Sequence, residues 1–98
     1  MLFQIDYRVF ETNRGDALRA FGSFTQDQLE SLLADHGVAL VGRWHSLGDG
    51  TGTMIVETDD FSKCSQFQLA WAEVCDTTVK PVMADVPLRE AIQEHFLQ

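Results

Sequence analysis

Apolar and polar positions alternate from Leu2 to Phe10, with Phe3, Ile5, Tyr7 and Val9 on one face and Gln4, Asp6 and Arg8 on the other. That is the period of a half-buried strand. A turn and helix start follow at Asn13 to Asp16, and Leu18 and Phe21 supply the apolar side of a short helix interrupted by Gly22. Thr25 predicts a second helix start. Gln28 stands at its third position, giving a capping box, and Phe24 before the cap can pack on Leu29 as a hydrophobic staple. The stripe Leu29, Leu32 and Leu33 faces a core, and the helix is expected to stop near His36 because Gly37 tolerates a left-handed conformation.

Val38 to Leu47 reads as a second strand. Strict alternation places Val38, Leu40, Gly42 and Trp44 on one face and Ala39, Val41, Arg43 and His45 on the other. Gly48, Asp49, Gly50 and Gly52 give a glycine turn, and a third strand, Thr53 to Thr58, is apolar on both sides at Met54-Ile55-Val56. Asp59 or Asp60 can cap the next helix, in which Phe61, Cys64, Phe67, Trp71, Val74 and Cys75 recur at three-to-four spacing. Thr77 to Ala84 is a last strand, with Pro81 favouring an edge position, and Asp85 and Pro87 open a terminal helix carrying Leu88, Ile92 and Phe96 on one side.

The order βαββαβ plus a C-terminal helix predicts a ferredoxin-like α+β sandwich, a four-stranded antiparallel sheet with helices on one face. At 98 residues, 45% of them hydrophobic and 22% charged, the chain is expected to be a single ferredoxin-like domain over residues 1–98. So small a core gains from self-association. The second sheet face carries Val41, Ile55, Val82 and Phe10 among its polar residues, so a partner sheet could cover it and make a homodimer. A net charge of −8 repels phosphate backbones and anionic lipid and argues against nucleic-acid and membrane partners. With no long apolar run and no charged leader before Leu2, a cytoplasmic protein is expected.

Cys64 and Cys75, eleven positions apart in a helical pattern, would lie about 16 Å apart along one helix and so could not bridge each other. His36, His45 and His95 show no ligand-type spacing, so no metal site is expected. No haem or other cofactor is implied. The Gly48 to Gly52 turn joins two strands and lacks the following helix that a phosphate loop needs.

The run Gly42 to Asp60, GRWHSLGDGTGTMIVETDD, holds the closest Trp-His-Arg grouping of the chain. His45 titrates near neutrality and is the candidate general base or acid; a ring merely satisfied by a hydrogen bond is the competing account. Arg43, two residues away on the same strand face, lies within about 7 Å of it, and the pair could hold a carboxylate or phenolate. A cross-strand ion pair with Glu57, itself a candidate ligand-binding residue, is the alternative for Arg43. Tyr7, Trp44 and Trp71 offer flat apolar surfaces with polar tips that could line a pocket for a small organic ligand or simply pack the core.

The segments MLFQIDYRVF, GVALVGRWHSLGDGTGTMIVETDD and LAWAEVCDTTVKPVMAD resemble the small proteins grouped as domain-of-unknown-function family 3303, most specifically at Gly42 to His45 and Val79 to Val82. Such proteins look like members of the dimeric α+β barrel group. The resemblance implies two ferredoxin-like sheets packed face to face around a small-molecule cavity, and relatives that include cofactor-independent monooxygenases and isomerases. Two functions follow as expectations. One is a homodimeric binding module; the other is a cofactor-independent oxygenase- or isomerase-like enzyme with His45 as proton carrier and Arg43 as anion stabiliser.

Overall fold

The computed structural model describes residues 1–97. Strands β1 (Leu2–Val9), β2 (Ala39–Ser46), β3 (Thr51–Glu57) and β4 (Cys75–Val82) form one sheet in the order β2-β3-β1-β4. Every neighbouring pair is antiparallel. After a 3-10 turn at Glu11–Asn13, helices α1 (Arg14–Ser23) and α2 (Gln26–Asp35) connect β1 to β2, α3 (Phe61–Trp71) connects β3 to β4, and α4 (Asp85–Phe96) follows β4. Both crossovers skip one strand, which is the ferredoxin-like topology the element order predicts.

Local chemistry explains the boundaries. The Thr25 hydroxyl accepts from the Gln28 backbone N–H while the Gln28 side chain accepts from the Thr25 N–H, a complete capping box. Gly37 takes φ 75°, a left-handed conformation that ends α2. Asp60 caps α3 by accepting from the Ser62 N–H. That helix closes at Trp71, earlier than its apolar spacing predicts, and Cys75 opens β4 instead of extending the stripe. The two cysteines therefore sit on different elements, both buried and both free. Burial raises both thiols above their ordinary pKa.

The core lies between one sheet face and α2 and α3. Phe3, Ile5, Leu29, Leu33, Val38, Met54, Val56 and Cys64 form its buried cluster, with Leu40, Phe67 and Val79 packed against it. No helix among the described residues is long and apolar enough to cross a membrane.

The alternation predicted for β2 is broken. A bulge between Leu40 and Gly42 puts Leu40 opposite Val56 and, beyond it, Arg43 opposite Met54 and His45 opposite Gly52. Because directly paired residues share a face, Arg43 and His45 join Val38 and Leu40 on the helix side, and Gly42 and Trp44 turn to the open face. One extra residue at Val41 thus brings two polar side chains to the core side of the sheet.

Candidate functional site

Tyr7, Gly52 and His45 are aligned across three adjacent strands, Tyr7 on β1 opposite Gly52 on β3 and Gly52 opposite His45 on β2. Glycine leaves a vacancy above the middle strand. The Tyr7 ring lies over it, where any Cβ would overlap the ring, and the Tyr7 hydroxyl is hydrogen-bonded to the His45 Nδ1. Side chains two strands apart meet only because the residue between them has none.

Arg43, two pairs away along β2, is flanked by aromatic rings. Its guanidinium carbon lies 5.7 Å from the Tyr7 ring centre, 5.4 Å from Phe21 of α1 and 5.6 Å from Trp71 at the end of α3. Such contacts are worth about 0.5–2 kcal/mol each, rising as the cation is desolvated. Phe21 also packs edge-on against His45 at 4.7 Å, and Phe67 stacks on Trp71 at 5.4 Å. The cluster therefore draws on β1, β2, α1 and α3.

The electrostatics are those of a half-buried cation with no counter-ion. The buried Nε of Arg43 has no hydrogen-bond partner, and the ion pair among the described residues is Asp16–Arg19 on the surface of α1. Burial depresses the Arg43 pKa, partly offset by Tyr7. His45 is lowered by burial and then by the neighbouring Arg43 charge, both of which favour the neutral imidazole. Tyr7 is raised by burial, with Arg43 opposing.

Four of the six expected site residues, Tyr7, Arg43, His45 and Trp71, come together. Trp44 is not among the rings around Arg43: it stands on the open face, 60% exposed, with its ring folded over Gly42, and lines a depression there together with Tyr7 and His45. Glu57 pairs with Leu2 and Ala39 at the far end of β3, so the Arg43–Glu57 ion pair expected from the sequence is not formed. Phe21, which the sequence marks only as helix packing, is the ring closest to Arg43. The helical spacing of Leu18 and Phe21 shows an apolar face, but nothing local says that the face covers β2.

Two concavities adjoin the cluster. A cleft of about 230 Å³ opens between α2 and α3, walled by Phe24, Leu32, Phe67 and Trp71 over a floor of Met54 and Val56. A wider depression of about 560 Å³ on the open sheet face is lined by Asp6, Arg8, Trp44 and Thr53 and reaches Tyr7 and His45 of the cluster. There the Asp6 carboxylate accepts from Thr53 at 2.6 Å and Gln4 at 3.0 Å, which hold its pKa down. Among the described residues no group of three or more His, Cys, Asp or Glu side chains converges as a metal site.

The family model described as "Domain of unknown function (DUF3303)" matches residues 1–96. The crystal structure of an uncharacterized NIPSNAP domain protein from Burkholderia xenovorans is similar at 13% sequence identity and a TM-score of 0.46, over 89% of this chain and 99% of that one. No curated protein sequence matches the chain.

Proposed function

The chain belongs to the DUF3303 family, whose description carries no activity, and from the site itself we propose that it is a binding module for a small, flat organic anion such as an aromatic carboxylate or phenolate. One observation carries this reading. Arg43 is desolvated among Tyr7, Phe21 and Trp71, with an unsatisfied Nε and no acidic partner among the described residues. A half-buried charge left unpaired is costly, and an incoming carboxylate would supply both the counter-charge and the missing acceptor. The surrounding rings would take the flat apolar part of the ligand, and the exposed edge at His45 leaves an entry.

The reading includes a homodimer joined through the open sheet face. Leu2, Val41, Trp44, Ile55 and Val82 give that face apolar area, with Val41 59% exposed.

The Tyr7–His45 contact favours a second reading, a cofactor-independent enzyme. If Nδ1 carries the proton and donates to the Tyr7 oxygen, the other ring nitrogen is free to take a proton from a bound substrate, and Arg43 would stabilise the resulting anion. If Tyr7 donates to Nδ1, the other nitrogen keeps its proton and serves as a ligand donor.

Tryptophan fluorescence tests the binding reading, because Trp44→Phe leaves Trp71 as the one indole, beside Arg43. Titration with benzoate or salicylate should change its emission saturably, and Arg43→Gln should remove that response. An emission that benzoate and salicylate leave unchanged to millimolar concentration would reject the module.

A further inference from the structure

Helices α2 and α3 cover the sheet without closing on each other. The first packs on β2 and the second on β4, and the cleft of about 230 Å³ stays open between them. Protein interiors leave few voids larger than a water molecule, so packing alone does not account for an unfilled apolar space of this size. A cavity of about 150 Å³ takes a benzene ring. The cleft has room for a larger apolar group, and its rim at Phe24 and Leu32 is exposed.

The cleft begins at the anion site. Arg43 pairs directly with Met54, which floors the cleft, and its guanidinium packs on Trp71, which walls it. Phe21, the ring closest to Arg43, leads along the chain to Phe24 at the cleft rim. From Met54 the floor continues to Val56, which pairs with Leu40 and so lies further from Arg43 along the sheet. His36 and Lys63 mark the other end, where the Ala39–Glu57 register brings the close of α2 beside the start of α3. Lys63 to Trp71 spans roughly 12 Å of helix. The open-face depression also reaches Tyr7 and His45, but Asp6 and Asp76 line it, and carboxylates repel an anionic, apolar ligand.

We propose that the ligand is an amphiphilic aromatic carboxylate, with its carboxylate and ring at Arg43 among Tyr7, Phe21 and Trp71 and an apolar tail laid in the α2–α3 cleft. This rests on the anion-binding reading and names the ligand class within it. Arg43 supplies charge recognition, and the cleft selects for the tail by burying it.

Isothermal titration calorimetry of the full chain with benzoate and with para-butylbenzoate tests the assignment. Each methylene taken from water into the cleft tightens binding roughly threefold, so para-butylbenzoate should bind about tenfold tighter than benzoate or more. Leu32→Trp, at an exposed rim position, fills the cleft and should erase that gain while leaving benzoate affinity unchanged. In the unmutated chain the terminal methyl of bound para-butylbenzoate should give nuclear Overhauser contacts to Met54 and Val56. Equal affinity for the two ligands would overturn the tail site and leave the anion site standing. Overhauser contacts to Thr53 or Thr78 in place of Met54 would put the tail on the open face and overturn it as well. Binding of neither ligand would reject the anion site and the tail site together.

Discussion

Tyr7 and His45 sit on strands separated by a third, yet they are joined by a hydrogen bond that passes over Gly52. The contact fixes the histidine ring beside Arg43 and restricts its second nitrogen to one of two roles. A proton on Nδ1 leaves the second nitrogen a base, and a proton donated by Tyr7 leaves it a donor. Nitrogen-15 shifts of the His45 ring at neutral pH separate the two. The binding module predicts the protonated outer nitrogen, whereas a bare one favours the enzyme.

Gly52 is the hinge of that arrangement, because a Cβ there would overlap the Tyr7 ring. Gly52→Ala forces Tyr7 aside, at a cost of about 1–3 kcal/mol. At roughly 4–8 °C per kcal/mol for a domain of this size, the loss is readable as a lower melting temperature by circular dichroism. The His45 resonance should also move as the hydrogen bond breaks. A surface substitution at Gly48, which has open space around it, should change neither.

Arg43→Met should separate stability from function. The thioether chain fills a similar volume among the same rings and removes a desolvated cation that has no counter-ion. We expect a gain of about 0.5–2 kcal/mol in urea denaturation together with loss of anion binding, the trade-off seen where a site is kept at a cost to the fold. A loss of stability would mean that the cation–π contacts outweigh desolvation.

His45 gives the domain a pH dependence. Burial and Arg43 lower its pKa in the folded state, so the unfolded chain binds its proton more readily. Its contribution is fully present above the ordinary histidine value of about 6.5 and is lost as the pH falls towards the lower folded value. Proton NMR should place the His45 midpoint below the ordinary histidine value of about 6.5, and Arg43→Gln should raise it. Stability should decline below pH 6.5 less steeply in His45→Asn than in the parent chain.

The capping box at Thr25 is a test of local structure alone. Thr25→Ala removes the acceptor for the Gln28 N–H and should cost about 1 kcal/mol, visible by chemical denaturation, while leaving anion binding unchanged.

That same motif shows what could be read along the chain. Thr25 and Gln28, Gly37, and the alternation of β1 each act through residues a few positions apart, so the sequence states them directly. The bulge at Val41 does not announce itself, because Val38-Ala39-Leu40-Val41 is apolar on both faces and a one-residue slip leaves no gap in the pattern. Beyond Leu40 the two faces of β2 are therefore the reverse of those the alternation predicts, with Arg43 and His45 on the helix side and Trp44 on the open face. The early end of α3 escapes for a similar reason: Ala72-Glu73-Val74-Cys75 contains neither glycine nor proline to break the stripe. Phe21 and Gly52 join the site through pairing between distant segments, and no local signal carries that.

The Arg43 Nε–H resonance tests the central claim most directly. In a nitrogen-15 correlation spectrum it is the arginine side-chain signal that disappears in Arg43→Lys, and its lack of an acceptor should set it apart from exposed arginines. Titration with benzoate should shift it saturably downfield as the carboxylate takes the empty position, with little movement of Arg19 or Arg89. A signal that stays in place through millimolar benzoate, or moves no more than those exposed arginines, would contradict an anion site at Arg43.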